Sequence, residues 1–385
     1  EFSLGTEDQV NHTNKTFIAY VFAHNDGDGE FGPDSDQDII SCGGITNAAA
    51  SVVTVDLGFE AQWVLMKRID SSGSWFMADV MRGMPVITTS TGPTARLFAD
   101  SSAAESDDPL IGPHATGFQF NNQWGSSSDW VYMAIRRGPL APPESGTEVF
   151  DVKTRINADP SYVSSTGVVD MAIDRYFNTL DDGRILSRLT GKNNLDLNND
   201  TTESTGLYTY YPFDFNTGWF YSAGAAETNR ISFMWKRAPS YFDALCYTGT
   251  GANRTVNHNL NASPDMIWLK SRETVLSSND WAVYCSAFSN PTNTNIVINS
   301  TGGQNTGAGG LIWNSTAPTD STFSLGTYNG VNQSGKEYIA YLFSTLAGVS
   351  KVGSYAGSNS DQTIDCGFTA GSRFILIKNI SRNSD

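Results

Sequence analysis

The sequence predicts an all-β protein: tandem antiparallel β-sandwich repeats joined by Gly/Asn/Ser/Thr-rich loops. Three observations carry this. Charged residues are only 17% of the 385 positions, with 36 glycines, a balance unlike that of Glu/Lys/Ala/Leu-rich helical proteins. Short runs rich in aromatic and β-branched residues are separated by turn-forming residues. The same phrases also recur in fixed order with a period near 100 residues, too long for a solenoid coil and suited to domains that each bury a core.

The first phrase is an aromatic–aliphatic strand: Phe17–Phe22 (FIAYVF), Trp130–Arg136 (WVYMAIR), Ile231–Lys236 (ISFMWK) and Tyr338–Phe343 (YIAYLF). Two copies run on into RRGP and KRAP. The second is a hydrophobic strand with a basic end: Gln62–Arg68, Val169–Arg175, Pro264–Arg272 and Arg373–Asn379. A Trp strand follows it at Ser74–Gly83 and Asp280–Ala287. This order frames unit one as 30–139, unit two as 148–239 and unit three as 240–346. Residues 1–24 then read as the closing strands of an incomplete unit, and 347–385 as the opening strands of another.

Within KEYIAYLF, alternate residues on both faces are apolar, as a central strand covered on both sides requires. Gly167–Leu180 also fits a helix, but its match to the second phrase reads as strand.

The phrases Tyr247–Arg272 and Trp313–Tyr355 resemble a tandem repeat of marine and freshwater phage structural proteins, a domain of unknown function in tail-fibre-like and virion-surface chains. The likeness is strongest in unit three and its flanks and weakest in unit two, where VDMAIDR and the loop Gly183–Thr205 depart from the pattern. It implies a lectin-like, jelly-roll type sandwich, an extracellular or virion-surface location, and no catalytic residues to transfer.

The formal net charge of −16 disfavours a nucleic-acid partner, and no apolar run is long enough for a membrane span. No GxSxG, HExxH, CxxC or phosphate-binding loop occurs, so the chain reads as non-enzymatic with no required cofactor. Cys246 and Cys285 read either as a disulfide or as small buried thiols.

Four sets of candidate residues remain. Phe2, Leu4, Phe17, Ile18, Tyr20 and Phe22, with Phe374, Ile375 and Ile377, are candidate assembly residues, because the two end pieces are complementary parts of one unit. Asp26, Asp28, Glu30, Asp34 and Asp36 alternate in a Gly-rich loop, as calcium ligands or as a solvated acidic linker. Trp124, Trp219 and Trp313 sit in loop-like surroundings and are candidates for stacking on sugars. Sequons place N-glycosylation candidates at Asn11, Asn14, Asn199, Asn253, Asn261, Asn299, Asn314, Asn332 and Asn379.

The leading expectation is a structural protein of an extracellular filament or virion appendage, with itself as partner. Its ends either complement one another head to tail or belong to a longer covalent array. The alternative is a lectin-like adhesin for cell-surface glycans, assisted by calcium.

Overall fold

The computed structural model describes residues 2–24, 31–48, 51–86, 94–108, 110–122, 126–180, 182–204, 212–221, 229–307 and 309–381. It is an all-β protein of antiparallel sheets, arranged as three sandwich units. Unit three is the most regular. Its main sheet has six strands in the order Phe242–Thr248, Glu337–Phe343, Met266–Ser271, Ala282–Cys285, Thr294–Val297 and Asn305–Thr306. A two-stranded sheet of Arg254–Asn257 and Thr322–Leu325 closes the other side. The closing strand of the sequence, Glu337–Phe343, is therefore central, between the first and third strands.

Unit one repeats this order, with its last strand Ser128–Arg136 between Ile40–Asn47 and Ala61–Arg68. Unit two does the same, with Arg230–Trp235 between Phe150–Thr154 and Met171–Tyr176. The segment that also fitted a helix is thus a strand. Register makes the reason plain, since Ile173 pairs with Phe233 and Ile185 across two neighbours.

Strand alternation sorts side chains into separate cores. In unit three, Tyr338, Ala340 and Leu342 point toward the small sheet and pack with Leu269, Phe323 and Leu325. Their neighbours Ile339 and Tyr341 point the other way, into a core shared with unit two. There they meet Met171, Ile173, Ile185 and Trp235, so units two and three are packed back to back through their main sheets. This explains the doubly apolar strand: one face fills its own sandwich and the other fills the joint. The side-chain amine of Lys270 crosses the joint to the Asn199 carbonyl at 3.1 Å, and the Trp281 indole N–H reaches the Asp196 carbonyl at 2.8 Å.

Cys246 and Cys285 are both free thiols facing the shared core, and burial pushes Cys246 up to about 12.

Candidate functional site: the two terminal segments and the unit junction

Residues 2–24 match 323–345 without a gap, and the local backbone repeats as closely as the letters. Asp8–Asn11 and Asn329–Asn332 are the same single helical turn. Val10 and Asn11 N–H groups donate to the Glu7 carbonyl at 3.1 and 2.9 Å; Val331 and Asn332 donate to the Tyr328 carbonyl at the same distances. The Asn11 and Asn332 side-chain amides donate to the Gly5 and Gly326 carbonyls, both at 2.7 Å. Asn14 is left-handed at φ 63°, as is its counterpart Gly335 at φ 72°.

The strands differ completely. Thr322–Leu325 and Glu337–Phe343 are paired and buried, whereas residues 2–5 and 16–22 join no sheet. Ile18 and Tyr20 are 81% and 82% exposed, against 0% for Ile339 and Tyr341. Phe2, Leu4, Phe17 and Phe22 are also exposed.

The other end mirrors this. Residues 345–380 match 237–272 without a gap. The Leu346 N–H donates to Ser350 as Ala238 does to Phe242, and the Ser350 N–H returns to Leu346 as Phe242 does to Ala238. Gly348 is left-handed at φ 75° where Ser240 is at φ 58°. No strand forms. Instead Phe374 lies against Phe150, Phe233 and Trp235 of unit two, with ring centroids 5.7, 5.3 and 5.3 Å away. The Arg373 guanidinium donates to the Phe150 carbonyl at 3.0 Å and the Asp151 carboxylate at 3.1 Å. Burial raises the Asp151 carboxyl, but hydrogen bonds from the Ser165 N–H and hydroxyl outweigh it and hold the group below the ordinary aspartate range. Ile375, Leu376 and Ile377 remain exposed.

An ionic junction was not foreseen. Arg237, at the end of unit two, is buried and donates to both Glu60 oxygens at 3.0 and 2.8 Å. Arg237 also lies 3.6 Å from Asp170 and from Asp243, so one guanidinium ties three units together. Burial opposes its charge, yet Glu60, Asp170 and Asp243 raise its pKa above the ordinary arginine value. Arg137 joins the same cluster, 3.4 Å from Glu60 and 3.6 Å from Asp243. The signal was present in the sequence as the basic pairs of RRGP and KRAP, which sit at equivalent unit ends.

The expectations for Trp219, Trp313 and Asn332 are corrected. Trp219 and Trp313 are core residues and offer no face to a sugar. Trp219 stacks on Tyr162 at 4.8 Å and donates to Ser232 Oγ, while Trp313 donates to the Thr294 carbonyl and meets Tyr284 edge-on. Loop-like sequence placed them outside; a two-residue strand and a short helical turn, Gly309–Trp313, aim them inward. Trp124 lies outside the described residues. Asn332 is fully buried with its amide committed, so it cannot carry a glycan in the folded protein. Asn11, Asn14, Asn253, Asn261 and Asn379 are exposed, and Asn199, Asn299 and Asn314 are half-buried. Asp34 and Asp36 are exposed in a turn closed by the Phe31–Gln37 bridge, while Asp26, Asp28 and Glu30 lie outside the described residues. Among the described residues no three His, Cys, Asp or Glu side chains cluster as a metal site.

A domain of unknown function, DUF7483, matches residues 1–139 and 216–385, and the chain belongs to that family. The match leaves out 140–215, most of the divergent unit two. A search of curated proteins finds no match.

Proposed function

We propose that this member of the DUF7483 family is a non-enzymatic structural subunit of an extracellular filament or virion appendage, whose copies join head to tail by strand complementation between residues 1–24 and 347–385. One observation carries the reading. The N-terminal segment has the sequence, helical turn and hydrogen bonds of a closing segment, but its strand residues are exposed while their counterparts in unit three are wholly buried. Unpaired strand with exposed apolar side chains is an association surface. Each of Phe17, Ile18, Tyr20 and Phe22 gains about 1.5–3 kcal/mol when taken out of water, before ordering costs. A contact between different surfaces on successive copies propagates as an open filament.

The test is light scattering and negative-stain electron microscopy of the full chain over a rising concentration series. Filaments or head-to-tail oligomers are expected, and Ile18→Asp with Tyr20→Asp should return the protein to monomer without changing its circular dichroism. A monomeric wild-type protein at high concentration would remove the proposal.

A further inference from the structure

Resting on that assembly reading, we infer that Asn11 sets the register of the joint: its side-chain amide seats in the turn at Ser358–Ser360 of a second copy, locking residues 16–22 in place as that copy's central strand. Unit three shows the completed clip. The Asn332 side chain accepts from the Thr250 N–H at 2.9 Å and donates to the Ala252 and Gly326 carbonyls, both at 2.7 Å. The turn it enters is shaped by the Thr250 hydroxyl, which donates to the Ala252 carbonyl at 3.1 Å and accepts the Ala252 N–H at 3.4 Å.

Both halves of this clip stand apart in the terminal segments, already shaped. Asn11 holds the Gly5 carbonyl as Asn332 holds Gly326. The Ser358 hydroxyl donates to the Ser360 carbonyl at 3.0 Å and accepts the Ser360 N–H at 3.4 Å, as Thr250 does with Ala252. Asn359 takes the left-handed φ of 55° where Gly251 takes 73°. Among the described residues the two terminal segments of one molecule share no hydrogen bond, and under the assembly reading a second copy supplies the missing half. Two halves already in their bound shape lose less freedom on joining than flexible ones.

The unit-three ladder then gives the joint residue by residue. Ala340 stands opposite Leu245 and Leu269, so Ala19 stands opposite Gly353 and Ile377 of the second copy. Phe323 pairs with Val256, so Phe2 pairs with Ile364. Register needs a lock because a slip of one residue would exchange the two faces of 16–22, and both are apolar. Hydrophobic burial alone discriminates weakly between them; a polar side chain that is itself buried, as Asn332 is, must find its partners and so discriminates well.

The experiment uses the full chain carrying Ala19→Cys with Ile377→Cys, and separately Ala19→Cys with Lys378→Cys, a one-residue slip. Each is oxidised over a concentration series, and the linked peptides are identified by mass spectrometry. Interchain 19–377 linkage well above 19–378 is expected. Adding Asn11→Ala should raise the concentration needed for half-maximal linkage roughly tenfold and increase the slipped product. Asn14→Gly, outside the clip, should leave both unchanged. Interchain 19–377 linkage that is indifferent to Asn11→Ala overturns this inference and leaves the assembly reading standing. Absence of 19–377 linkage overturns both, and linkage within one chain overturns the commitment to a second copy.

Discussion

Residues 2–22 and 323–343 present one sequence pattern in two environments. What the copies share is local: a helical turn, its backbone hydrogen bonds, an Asn amide on a carbonyl six residues back, and a left-handed residue three positions on. What they do not share is every strand. Helical turns and caps bond within a few residues and need no other part of the chain. A strand's N–H and C=O groups are satisfied only by neighbours, and its side chains by facing sheets. Strand pairing in unit three spans about ninety residues, from Cys246 to Ile339. The comparison thus separates what a closing segment knows by itself from what its unit must supply.

The sharpest way to break this contrast is to shorten the same side chain in both places. Ile339→Ala should destabilise the chain by about 2–5 kcal/mol in denaturant unfolding, since Ile339 is buried in the joint of units two and three. Ile18→Ala should change monomer stability by less than about 0.5 kcal/mol. Equal effects would mean that residues 2–22 are packed within their own molecule.

Lys270 and Lys378 provide a second matched pair. Burial lowers the Lys270 amine from 10.5 to about 8, against the pull of Asp280, Asp200 and Asp196. With a folded value below the unfolded one, the unfolded chain binds more protons between those values. Stability therefore rises as pH climbs from about 8 to 10.5 and is lost again on descent. The gain from this group is about 3 kcal/mol. Tyrosine and cysteine ionisation opposes it over the same range, since burial raises Tyr241 and Cys246. The measurement is therefore the difference between wild type and Lys270→Met across that window, which should grow with pH. Lys378→Met, on a segment outside any sheet, should alter stability by less than about 0.5 kcal/mol.

Asn332→Ala should cost about 1–3 kcal/mol, because it strands the Thr250 N–H, the Ala252 carbonyl and the buried Gly326 carbonyl, whereas Asn11→Ala should leave monomer melting unchanged. The smallest effect concerns the left-handed position. Gly335→Ala should cost about 1 kcal/mol through strain, with open space around the new methyl group. Asn14 tolerates that conformation and Asn14→Gly should be near neutral in thermal melts.

Much of the architecture was legible. Repeating phrases marked the strands, and the doubly apolar YIAYLF marked a strand covered on both sides. That the second cover is another unit could not be read, because alternation reports that a face is buried and is silent on what buries it. The tryptophans failed for a related reason. Trp219 and Trp313 stand among Gly, Asn and Thr, which describe backbone turns and not where an indole points. The junction was half legible: the basic pairs recur at unit ends, but the acids that hold Arg237 come from positions 60, 170 and 243. Charges so far apart in sequence become partners only through folding.

By itself, the sequence determined the β class, the order of phrases and the shape of each turn, since these depend on propensity and on bonds spanning a few residues. Tertiary structure alone decided which strands flank the central one, which sheets meet back to back, and which of two matching segments is buried. Those outcomes rest on pairing across long loops and on exclusion of water from shared cores, and neither is a property of any one stretch of chain.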